Sequence, residues 1–66
     1  MTQQEIDFLI GLYKSRIAYK QIEIKRYENA GKAGACISLT GEIQAYNAVI
    51  NDLKRINLSD KEKQNE

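Results

Sequence analysis

The sequence predicts an all-α protein: an antiparallel two-helix hairpin, completed as a dimeric four-helix bundle. Three observations carry this expectation. Apolar residues recur at steps of three and four over residues 3–29 and again over 39–57, the period of a helix buried along a face. A small, flexible stretch, Gly31-Lys32-Ala33-Gly34-Ala35-Cys36, separates the two runs and reads as a turn. The first run also carries more apolar surface than one companion helix covers, and that surplus asks for a second copy.

The first helix is expected over about 3–29, with Met1 to Gln3 frayed. Thr2 and Glu5 have the spacing of a capping box, and Glu5 and Asp7 lie near the positive end of the helix dipole. Two ladders run through the helix. One reads Ile6, Leu9, Ile10, Tyr13, Ile17, Ile24, Tyr27; the other reads Phe8, Leu12, Tyr19, Ile22, with Ser15 in its gap. Gly11, Ser15 and Ala18 form a row of small residues, which suits either a close helix approach or a tolerated wet face. Arg16 and Lys20 interrupt the first ladder. Their stems pack while their charges reach water, or they border a binding surface.

Asn29-Ala30-Gly31 is a stop signal, supported by Lys25 and Arg26 at the negative end of the dipole. The turn is expected over 30–38. A phosphate loop is not expected there, because Gly and Lys stand in the wrong order and no strand precedes them. The second helix is expected over about 39–57, capped by Ser38 or Thr40, with an earlier start near Ala33 as the alternative. Its apolar face reads Leu39, Ile43, Tyr46, Val49, Ile50, Leu53, Ile56, with Ala45 at the edge. Gln44, Asn47, Asn51, Lys54 and Arg55 form the wet face. Residues 1–58 thus make the hairpin, and 59–66, charged and without an apolar residue, read as a disordered tail.

Composition limits the function classes. A chain of 66 residues is one domain at most, and a core that small gives marginal stability without a disulfide, a metal or self-association. Cys36 is the only cysteine and there is no histidine, so neither an intrachain disulfide nor a metal site is expected. Self-association is the remaining device. The net charge of +1 argues against a strongly basic nucleic-acid arm and against an acidic nucleic-acid mimic. Charges break the apolar runs every few residues, so no membrane span is expected. With the unpaired thiol and no signal segment, the expected location is the cytoplasm, or the host cytoplasm for a phage-encoded chain. Ile, Lys and Asn are abundant, a bias shared by AT-rich bacterial, phage and plasmid genomes.

Nothing points to catalysis or to a cofactor. Acid–base chemistry needs a histidine or a carboxylate pair at a cleft, whereas Glu5, Asp7, Glu23, Glu28, Glu42 and Asp52 are scattered. Glu23 is placed to pair with Lys20 or Arg26 at spacing three. Cys36 lacks a base and reads as a small apolar filler beside the turn. The expected role is a coiled-coil-like interaction module: a phage- or mobile-element-type inhibitor or regulator that binds a partner protein as a homo-oligomer, most simply a dimer. Phe8, Leu12, Ser15, Tyr19 and Ile22 are the expected interface, while Tyr13, Tyr27 and Tyr46 belong to the core.

Gln3, Lys14, Gln21, Lys25 and Asn29 line one polar side of the first helix. There, and in the opening Met1-Thr2-Gln3-Gln4-Glu5, the chain resembles the plasmid copy-control RNA-binding hairpins. The resemblance implies a dimeric four-helix bundle that grips paired RNA loops with Lys, Gln and Asn from its first helix. Nucleic-acid binding is therefore the alternative reading, although Asp7 and Glu28 share that side and repel phosphate. A third reading is an assembly component of a larger complex. The sporulation-type aspartyl-phosphate phosphatases are also helical hairpins, but Ser38-Leu39-Thr40-Gly41-Glu42-Ile43 does not match their motif in spacing or in its aspartate, so that activity does not carry over.

Overall fold

A computed structural model describes the backbone of residues 1–64 and the side chains of residues 1–58. The chain forms two helices, α1 (Gln3–Asn29) and α2 (Ala33–Gln64), which pack against each other as a hairpin. The molecule is a thin slab, 55 × 16 × 11 Å.

The start of α1 is set by local hydrogen bonds. Thr2 is extended and its hydroxyl accepts from the Glu5 backbone N–H, while the Glu5 carboxylate accepts from the Thr2 N–H. This reciprocal pair satisfies donors that the first turn leaves open. Gln3 is therefore helical and Thr2 an ordered cap, where fraying is expected over Met1 to Gln3. The end of α1 is equally specific. Gly31 takes φ +72°, its N–H donates to the Glu28 carbonyl, and the Lys32 N–H donates to the Tyr27 carbonyl. These two bonds with a left-handed glycine make a Schellman motif, which uses carbonyls the last turn cannot pair.

The turn is shorter than the expected 30–38, because α2 begins at Ala33, the earlier of the two expected starts. Ser38 and Thr40 lie inside the helix and cap nothing. The Thr40 hydroxyl instead donates back to the Cys36 carbonyl, one turn earlier. Ala33 and Ala35 favour helix strongly enough to carry Gly34. At its far end α2 continues to Gln64, where composition predicts a disordered tail. Lys, Glu and Gln in that segment are good helix formers, and a helix already nucleated propagates at small cost. Residues 65–66 lie outside the described residues.

Packing runs in register along the hairpin. Near the turn, the Cys36 thiol lies 3.6 Å from the Ile24 carbonyl. Next comes Lys20 against Glu42, then the Tyr13 and Tyr46 rings at 5.4 Å between centroids, tilted by 42°. At the open end Ile6, Ile50 and Leu53 are buried. The whole first ladder of α1 is buried or half-buried, as are Leu39, Ile43, Tyr46 and Val49 of α2. Ile56, expected on that face, is exposed, as is Ala45 at its edge. Apolar area removed from water stabilises at about 25 cal/mol per Å², so a core centred on three buried residues contributes modestly.

Candidate interaction surface

One face of α1 is occupied by α2. The steps between Phe8, Leu12, Ser15, Tyr19 and Ile22 carry the second ladder along a different line of the helix, and the hairpin leaves that line uncovered. Phe8 is 70 % exposed, Tyr19 61 %, Ile22 54 % and Leu12 37 %. Ser15 is exposed in the middle of the row. The five residues expected as an interface therefore form one continuous stripe, and none is consumed by the fold. A shallow groove lined by Leu12, Ser15, Arg16, Tyr19 and Tyr46 joins the stripe to the seam between the helices.

Charged groups border the stripe. Arg16 stacks over the Tyr13 ring at 5.4 Å, and Lys20 lies 5.7 Å from the Tyr46 ring. The Lys20 ammonium donates to the Glu42 carboxylate at 2.8 Å. The Glu42 hydrogen bond holds the Lys20 ammonium above the usual lysine range. Glu23 pairs with neither Lys20 nor Arg26; Lys20 reaches across to α2 instead of along its own helix. Both charged heads thus lie near tyrosine rings, with Arg16 exposed and Lys20 directing its charge to Glu42. Glu5 is held below the usual carboxylate range, first by the Thr2 backbone N–H and then by the Thr2 hydroxyl.

The polar side of α1 is arranged differently. Lys14, Gln21, Lys25 and Asn29 are exposed. Gln3 is tied up, its side-chain amide donating to Asp7 at 2.8 Å. Lys25 and Glu28 border a second shallow groove together with Gln21 and Ile22. Carboxylates at both ends of this line reduce its attraction for phosphate.

Ile37 is an exposed apolar residue that sequence reasoning left unassigned, because it fell in the expected turn. In the early start of α2 it points outward at 74 % exposure. Singly exposed apolar side chains are ordinary on protein surfaces. Among the described residues no group of histidines, cysteines or carboxylates is placed to hold a metal, and no helix is long and apolar enough to cross a membrane. No protein-family model matches the chain, and no curated protein or solved structure matches it either.

Proposed function

We propose that the chain is a small non-catalytic interaction module. It associates with itself through the apolar stripe of α1 and, as a homo-oligomer in the cytoplasm, binds a partner protein as phage- and mobile-element-type inhibitors and regulators do. One observation supports this reading above the others: Phe8, Leu12, Tyr19 and Ile22 stand exposed in a continuous row on a hairpin whose own core is very small. Contiguous exposed apolar rows mark interfaces, and a marginal core gains stability from being covered.

The test is sedimentation of the full chain at micromolar concentration, alongside Leu12→Glu and Tyr19→Glu. The expected result is an oligomer for the parent chain and monomers for both variants, with helix content retained. A compact parent monomer would remove the homo-oligomer and leave the stripe to a different protein.

The exposed Lys14, Gln21, Lys25 and Asn29 support a second reading, binding of RNA or DNA. It expects mobility shifts that fade steeply with salt and that are lost on changing Lys14 and Lys25 to Glu. The engagement of Gln3 by Asp7 and the position of Glu28 beside Lys25 weigh against it. A role as an assembly component would instead show as a chain that orders only with its partner.

A further inference from the structure

We infer that the stripe is covered by a second copy of the chain and that the two α1 helices meet antiparallel, about a twofold axis near Ser15. This rests on the reading of the stripe as a self-association surface, and it adds the orientation and the register. Three observations carry it. The stripe residues follow one another at steps of four, three, four and three, the seam spacing of paired helices. Because α2 occupies a different face of α1, the whole seam is open to a partner.

The size pattern of the seam is the second observation. Phe8 and Leu12 stand on one side of Ser15, and Tyr19 and Ile22 on the other, so the row runs large, large, small, large, large from either end. A twofold contact is isologous: each residue meets a residue at the mirrored position in the other copy. Such a row is self-complementary when read antiparallel. Phe8 then approaches the partner subunit's Ile22, and Leu12 approaches the partner subunit's Tyr19. Ser15 at the centre lets the backbones come close. The Cβ position of Gly11, one turn away, is open as well.

Charge is the third observation, and it selects the orientation. Continuing the alternation of three and four outward from the stripe reaches Glu5 at one end and Arg26 at the other. An antiparallel pair sets Glu5 beside the partner subunit's Arg26, twice. A parallel pair sets Glu5 beside Glu5 and Arg26 beside Arg26, which is repulsive at both ends. The helix dipoles favour the antiparallel pair too.

The experiment is crosslinking of the full chain with a short bismaleimide in a Cys36→Ser background. Ser15→Cys is expected to give a covalent dimer at twice the chain mass. Phe8→Cys alone and Ile22→Cys alone are expected to give none, because antiparallel copies hold the two identical positions about 21 Å apart along the axis. A mixture of those two variants is expected to give the mixed dimer. Phe8→Cys dimers as abundant as those of Ser15→Cys would overturn the antiparallel arrangement while leaving self-association intact. A parent chain that sediments as a monomer would overturn both.

Discussion

Among the described residues, Glu5 and Lys20 have shifted protonation equilibria, and they act at opposite ends of the pH scale. Glu5 is held low by Thr2, so its contribution is present above the unfolded carboxylate value and is lost as pH falls through the lowered one. Thr2→Ala removes the two bonds of the hydroxyl and keeps the backbone N–H bond to the Glu5 carboxylate; it is expected to cost about 1 kcal/mol, with the acid loss of helix beginning at slightly higher pH. Circular dichroism across an acid titration reads both effects. Lys20 is held high by Glu42, so its contribution is complete below the unfolded lysine value and fades as pH rises through the raised one. Its stem matters as well as its charge, because the side chain is only 20 % exposed. Lys20→Met is therefore expected to destabilise less than Lys20→Ala in thermal melts, and equal losses would show that the packed stem contributes nothing.

The helices differ in how they are delimited. Paired hydrogen bonds at both ends define α1, whereas the turn and the alanines after it define the start of α2. The two kinds of glycine in the chain therefore respond oppositely to alanine. Gly41 sits in the middle of α2 with open space at its Cβ position, so Gly41→Ala is expected to stabilise by about 1 kcal/mol. Gly31 holds φ +72°, and Gly31→Ala is expected to destabilise by about 1 kcal/mol. Chemical denaturation of the two variants side by side would show opposite shifts of midpoint. A common sign would mean that the turn tolerates a side chain or that Gly41 has a role the hairpin alone does not reveal.

At the scale of the molecule, one short seam holds the chain together. Ile50 is one of three buried residues among those described, and Ile50→Ala is expected to cost about 2–5 kcal/mol, enough to unfold much of so small a domain. Self-association adds a dependence that a monomer lacks. If copies cover the stripe, the melting temperature rises with protein concentration. Tyr19→Glu is expected to abolish that rise without moving the melt at the lowest concentrations. A melt independent of concentration in the parent chain would mean that the hairpin stands alone.

Helical period, the capping pair Thr2 and Glu5, and the glycine stop at Gly31 were legible without coordinates, because each depends on neighbours within a few positions. The same holds for the split of α1 into two ladders, which is a matter of angle around one helix. The far end of α2 was not legible, and its start at Ala33 was legible only as the alternative to a cap at Ser38 or Thr40. Ser38 and Thr40 resemble caps locally, yet a helix already started at Ala33 runs through them. The charged end likewise continues as helix once the turns before it have formed, since propagation is cheap where nucleation is not. Nor could spacing decide where Lys20 finds its carboxylate. Glu23 is near in the chain, but Glu42 is brought opposite only when the helices dock. Local order followed from the sequence by itself, because its causes lie within one turn of helix. That Phe8, Leu12, Tyr19 and Ile22 are the uncovered ladder was also expected from the sequence; which side chains meet across the hairpin, Lys20 with Glu42 and Tyr13 with Tyr46, was decided only by the packing of α1 on α2, because residues far apart in the chain become neighbours only when the helices dock.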